Sequence, residues 1–177
     1  VPLKTRLEVE RLRAAAEALE RVLTDLSTVI KPGLTTVDLE HFSRLALTRH
    51  GLEGVLEGYD GFPSVICASV NNVAAHGLPG QVPLQEGDLV TVDLSAQRDG
   101  WCADAAWTYG VGRLGTSARR LLRAAWKATL AGAAAARAGG RLGDIGAAAT
   151  QEAGRAGCAV VREFTGHGIG TALHETP

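Results

Sequence analysis

The sequence predicts an α+β domain with internal pseudo-two-fold symmetry. Three observations predict it. Stretches rich in Ala, Leu, Glu and Arg carry apolar residues three and four positions apart, the period of a helix with one buried face. Between them lies LVTVDLSAQRDGWCADAAWTYGVG, residues 89–112, where β-branched and alternating positions flank the turn dipeptide Asp99-Gly100. The helical regions also share a pattern at constant offset. Gly33, Asp38 and Gly51 correspond to Gly139, Asp144 and Gly157, each 106 residues later (139 − 33, 144 − 38, 157 − 51).

Each element follows from its residues. Residues 7–26 are strong helix formers with a continuous apolar stripe, and predict the first helix. Pro32-Gly33 ends the segment behind it. Thr35, Thr36 and Asp38 offer a cap for a second helix over 37–50, which Gly51 stops. His41 and His50 fall on that helix as surface or packing residues. A glycine-broken loop, 54–61, carries Tyr59 and leads to Phe62, and a short apolar strand follows over 64–70. Residues 71–79, NNVAAHGLP, read as strand and turn holding His76. The polar stretch 81–87 leads into the hairpin, with strands over 89–97 and 101–111. Ser117 is expected to cap an alanine-rich helix over 118–136, broken by Gly139-Gly140. A further helix is expected over 142–156, ended by Gly157, with a strand starting at 158–161.

The repeat bounds the domain. We expect a single domain over 1–177, with repeat one at about 5–112 and a partial repeat two at about 117–177. The first copy runs 61 residues past Gly51 (112 − 51) and the second only 20 past Gly157 (177 − 157). About 40 residues of the second copy are therefore expected to be missing, including its hairpin. An incomplete sheet has an uncovered edge, so the expectation is a longer full-length protein or a partner chain that completes this one.

Composition excludes several classes. At 46% hydrophobic residues the chain has enough for a sizeable core, and its net charge of −1 gives no reason to expect nucleic acid or an anionic membrane as partner. No run of 18 apolar residues occurs, so no transmembrane helix is expected. The first residues, VPLKTRLEVERL, start a charged helix at once and do not read as a signal peptide, which points to the cytoplasm. Cys67, Cys102 and Cys158 are odd in number with no CxxC, and suit reduced thiols. There is no Met, which fits Val1 following a removed initiator or a boundary set elsewhere.

Asp93 and Asp104 stand out in runs that otherwise look buried. A two-residue loop at Asp99-Gly100 places Arg98 opposite Trp101, Asp93 opposite Ala106, and Asp104 opposite Ser95. Both aspartates then lie diagonally on one face, close enough to share an ion. An edge hairpin with two solvated aspartates is the plain alternative. His76, between Ala75 and Gly77, His167, between Gly166 and Gly168, and His174, beside Glu175, share the unusual setting of glycine-flanked or motif-like turns. Each alone suits a hydrogen-bonded structural role. Together with two sheet carboxylates they suit a hydrolytic site with one or two divalent metals.

Three segments carry a resemblance: VNNVAAHGLP, the Asp93/Asp104 hairpin with its spacing of 11 residues (104 − 93), and FTGHGIGTALHETP. In that order they resemble the methionine aminopeptidases, of the pita-bread fold shared with prolidase and aminopeptidase P. The resemblance covers about residues 7–177, and the form AHGLP favours methionine aminopeptidase over the proline-directed relatives. It implies a metalloaminopeptidase with two divalent ions, Co, Mn, Fe or Zn, acting on a peptide or nascent-chain N-terminus as a monomer. Asp93 would chelate one metal, Asp104 would bridge both, and His167 would hold the other. His76 and His174 would be catalytic and touch substrate, and Tyr59 and Phe62 would line the methionine pocket. The family uses two further glutamate ligands, C-terminal to the H-E-x-P segment and not present here. Leu56 and Leu173 stand where bacterial relatives often place Cys and Phe. A pita-bread domain that binds a peptide without hydrolysis, or an Xaa-Pro peptidase, are the alternatives.

Overall fold

The structure, a computed structural model, describes residues 2–176. Val1, and Pro177 at the end of the H-E-x-P segment, lie outside the described residues. The chain forms two compact units, Val1–Arg113 with Gly166–Pro177, and Leu114–Thr165. The break after Arg113 falls between the two expected repeats. The final segment, however, groups with the first unit.

In the first unit, α1 spans Arg6–Val29. Thr5 and Glu8 form a capping box: the Glu8 carboxylate accepts from the Thr5 N–H at 2.6 Å, and the Thr5 hydroxyl accepts from the Glu8 N–H at 3.3 Å. Its buried stripe is Ala15, Ala18, Leu19, Val22 and Leu26, the three- and four-residue spacing of the sequence. The second helix, α2, spans Thr36–Arg49. Thr35 and Asp38 cap it in the same way, and Gly51, at φ 68°, turns the chain out of it.

Four strands follow: β1 Glu53–Gly54, β2 Ile66–Val70, β3 Leu89–Arg98 and β4 Trp101–Gly110. All ladders are antiparallel, and β3 is the centre. β1 and β2 pair end to end along one side of β3, and β4 pairs along the other. Asp99 and Gly100 form the two-residue loop, with φ of 51° and 77°, the left-handed pair of a type I′ hairpin. The register is the expected one, with Arg98 opposite Trp101, Asp93 opposite Ala106, and Ser95 opposite Asp104.

Strand alternation sorts the two sheet faces. Val90, Val92, Leu94 and Ala96 are fully buried in one core cluster with Leu19, Val22, Leu26 and Leu39 of the helices. The Tyr109 hydroxyl donates to the Leu23 carbonyl at 2.6 Å and ties β4 to α1. Asp93, Ser95, Asp104 and Cys67 occupy the opposite face. A slip of either strand by one residue would send its aspartate into the core, so burial itself holds the register.

In the second unit, α3 spans Thr116–Ala135 and α4 spans Leu142–Arg155. Ala124, Ala128 and Gly132 recur every fourth residue on the buried side of α3, and small side chains there let α4 approach closely. Asp144 accepts from the Arg141 N–H at 2.9 Å, as Asp38 does from Thr35.

Three expectations are corrected. Ser117 is not the cap of α3. Gly115 takes that position in extended conformation, and Ser117 lies inside the first turn. Residues 158–161 form no strand, because no described strand lies beside them to satisfy their backbone groups. Residues 71–79 contain no strand either. Asn71, at φ 52°, turns the chain, its amide donating to Asp88 and its carbonyl accepting from the Leu89 N–H. All three cysteines are free, with Cys67 and Cys102 buried. No described helix is long and apolar enough to cross a membrane.

Candidate metal centre

The two aspartates meet on one sheet face, which disfavours the charge of Asp93. Burial pushes the Asp93 carboxyl above the ordinary carboxylate range, and the neighbouring Asp104 pushes the same way. His76 and His167 oppose this. The Cys67 thiol, directly opposite Asp93 on β2, is pushed up to about 11, first by burial and then by both aspartates. Asp104 is anchored by the strand register. The Ser95 hydroxyl donates to its Oδ1 at 2.8 Å.

The last segment brings in the imidazoles. The Cys102 N–H on β4 donates to the Gly170 carbonyl at 2.7 Å. Gly168 and Glu175 then exchange two backbone hydrogen bonds of 2.8 Å each, closing the segment into a small loop. A side chain at Gly168 would press on the Glu175 carbonyl, so the glycine is required by contact. The Glu175 carboxylate receives Lys4 Nζ at 2.5 Å and the Thr171 N–H at 3.1 Å. Lys4 first, then the backbone donors, holds that carboxyl below its usual range. Glu175 is thus a strut of the loop.

This loop presents His167 and His174 with ring centroids 4.2 Å apart, edge to face. His167 Nδ1 lies 2.9 Å from the Gly168 carbonyl. A carbonyl only accepts, so Nδ1 carries a proton, and Nε2 is the ring nitrogen turned to other partners. That Nε2 lies 3.5 Å from Asp104 Oδ2. A lone pair facing a carboxylate oxygen is repulsive unless a proton or a cation lies between them. Locking Nδ1 to a backbone carbonyl is also how metal-binding histidines are oriented. His174 Nδ1 is 2.5 Å from the Tyr59 hydroxyl, with the two rings edge to face at 5.1 Å.

His76 is held in a turn at φ 55°, a conformation costly for a side chain of its size. Gly77 fixes the turn: its carbonyl accepts from the Ala68 N–H at 2.8 Å, and its N–H donates to the Ser69 hydroxyl at 3.1 Å. A Cβ at Gly77 would run into the Ala68 carbonyl. Phe62 enters through its backbone, which closes the turn carrying Tyr59 by a 2.9 Å bond to the Tyr59 carbonyl. The structure therefore gathers Asp93, Asp104, His167, His174 and Tyr59, and sets His76 within electrostatic reach of Asp93.

The three expected ligands do not close round one point. Among the described residues no group of three or more His, Cys, Asp or Glu side chains is arranged to hold a metal ion. The donor chemistry nevertheless fits: two carboxylates and an imidazole suit a divalent ion, and His167 Nε2 faces Asp104 Oδ2 at 3.5 Å. Sequence reasoning placed Ser95 only as a register partner. It missed Lys4, a cation 171 residues from its partner with no local pattern to mark it.

Residues 10–177 match the profile described as Metallopeptidase family M24. The chain belongs to metallopeptidase family M24. This M24 chain is 37% identical over 175 residues to the methionine aminopeptidase of Clostridium perfringens, covering 99% of this chain and 70% of that protein. The crystal structure of methionine aminopeptidase from Rickettsia prowazekii matches with a TM-score of 0.97 at 34% identity, over 100% of this chain and 71% of that one. Prolidase from Pyrococcus furiosus matches with a TM-score of 0.86 at 21% identity, over 99% of this chain and 51% of that one, which shows a common fold. The pita-bread fold implied by the sequence resemblance is the fold of this M24 chain.

Proposed function

We propose that this chain carries the metal-binding face of a methionine aminopeptidase, which removes the N-terminal methionine from a peptide or nascent chain. One observation supports the metal chemistry above the others: His167, its Nδ1 committed to a backbone carbonyl, turns Nε2 onto Asp104 Oδ2 at 3.5 Å. Similarity to methionine aminopeptidases supports the substrate.

Asp93 would chelate one ion, Asp104 would bridge two, and His167 would hold the second. Divalent ions so placed supply Lewis acidity, lowering the pKa of water and polarising the scissile carbonyl. The remaining residues bind and orient. His174, its Nδ1 engaged by Tyr59, has Nε2 left to meet the carbonyl oxygen as negative charge develops there. His76, fixed by the Gly77 turn, meets the substrate near its N-terminus. Tyr59 and Phe62 line the pocket for the methionine side chain. The protein acts as a cytoplasmic monomer on peptide N-termini, without direct nucleic-acid binding. A second reading, a peptide-binding module without hydrolysis, is favoured by the absence of a closed three-donor group among the described residues.

Calorimetric titration with Mn2+, followed by assay of methionine release from Met-Ala-Ser, separates the readings. In the intact protein, the metalloaminopeptidase reading expects a metal site that Asp104→Asn abolishes, with metal-dependent release from Met-Ala-Ser and none from an Xaa-Pro peptide. Peptide binding that ignores Mn2+, with no release, would establish the binding module instead.

A further inference from the structure

We infer that Ser95 is a positioning residue for the metal-bridging carboxylate, a role that rests on the metal reading above. Ser95 is 5% exposed on the central strand, directly opposite Asp104 in the β3–β4 ladder. Its hydroxyl donates to Asp104 Oδ1 at 2.8 Å. Its own carbonyl is already taken by the Val55 N–H at 3.0 Å, so both polar ends of the residue are fixed. The other oxygen of the same carboxylate, Oδ2, faces His167 Nε2 at 3.5 Å.

The arrangement divides the work of one carboxylate between its two oxygens. A side chain with two free torsions could turn either oxygen toward the imidazole, or neither. The bond from Ser95 occupies a lone pair on Oδ1 and sets the carboxylate plane, which leaves Oδ2 toward His167. A hydroxyl donating to an ionised carboxylate makes a strong bond of defined direction. Hydrogen-bonded supports of this kind, removed from metal sites, typically cost 10- to 100-fold in metal affinity.

The shape and the hydroxyl of Ser95 are separated by two variants. Ser95→Thr retains the donor, and Ser95→Val has nearly the same volume as threonine without it. Both are β-branched and at home in a strand, so neither asks the fold for anything the other does not. Titrating Co2+ into the full chain gives a dissociation constant by calorimetry and a ligand-field spectrum of the bound ion. We expect Ser95→Thr to bind Co2+ within about threefold of the parent with the same spectrum, and Ser95→Val to bind roughly 10- to 100-fold more weakly with a changed spectrum. Equal affinity and identical spectra for Ser95→Val and Ser95→Thr would overturn the inference while leaving the metal site standing. A parent chain that takes up no Co2+ would overturn the metal reading itself, and this inference with it.

Discussion

Tyr59 and His174 come from segments 115 residues apart and meet at 2.5 Å. Sequence reasoning placed Tyr59 in a side-chain pocket. The structure adds a hydroxyl that engages His174 Nδ1. The two roles separate in Tyr59→Phe, which keeps the ring and loses the bond. Loss of one such hydrogen bond is worth about 1 kcal/mol, so kcat for Met-Ala-Ser should fall roughly fivefold with little change in KM. A rise in KM at constant kcat would confine Tyr59 to the pocket. Asp93 and Asp104 were legible as a pair because an unpaired carboxylate in a buried run is itself an anomaly. The Ser95–Asp104 bond and the Lys4–Glu175 pair were not, since a serine in a strand and a lysine far from the H-E-x-P motif break no pattern.

Two backbone devices aim the histidines, and each can be disturbed alone. At Gly77 any side chain meets the Ala68 carbonyl, so the turn must move off β2. Gly77→Ala should lower stability by about 1–3 kcal/mol, read by chemical denaturation, and weaken Met-Ala-Ser binding by displacing His76. The loop of His167 and His174 depends instead on the Lys4–Glu175 pair. Glu175 has a depressed folded value, so its stabilisation is complete above the ordinary glutamate value of 4.5 and is lost as pH falls through the lower folded value. Hydrogen exchange at the Gly168 and Glu175 amides should therefore accelerate, beyond the intrinsic pH effect, below about pH 4.5. Glu175→Gln should show the faster exchange already at neutral pH, without that acid step. The hairpin was readable to the residue because a two-residue Asp-Gly loop permits one register. The strand expected at 158–161 failed because alternation shows which residues favour a strand and not whether a neighbour exists to pair with. Ser117 failed for a related reason, since Gly115 is as able to adopt the extended cap and lies nearer the turn.

The two units differ in how much they bury. Val1–Arg113 with Gly166–Pro177 contains nearly all of the described core, including Leu19, Leu39, Ile66 and Leu94. Leu114–Thr165 buries chiefly alanines, while Leu121, Leu130, Leu142 and Val161 stay at least half exposed or close to it. Local opening costs less where less apolar surface is covered. Native-state hydrogen exchange should show α3 and α4 opening well below the global unfolding free energy, with β3 and α1 protected to the limit. Uniform protection across both units would contradict this. That the final segment groups with the first unit was not legible in the sequence, since the contacts that reveal it, among them Cys102–Gly170, Lys4–Glu175, Tyr59–His174 and Asp104–His167, join residues that no local pattern links. That return of the chain has a consequence for the order of events during synthesis. Both aspartates leave the ribosome with the hairpin, and His167 follows 63 residues later (167 − 104). By then the residues of the sheet, its helices and their shared core have all been made. On the proposed ligand set, a divalent ion gains its imidazole ligand only after every residue of the sheet has been made, so an emptied protein that keeps its fold should be able to reload the ion.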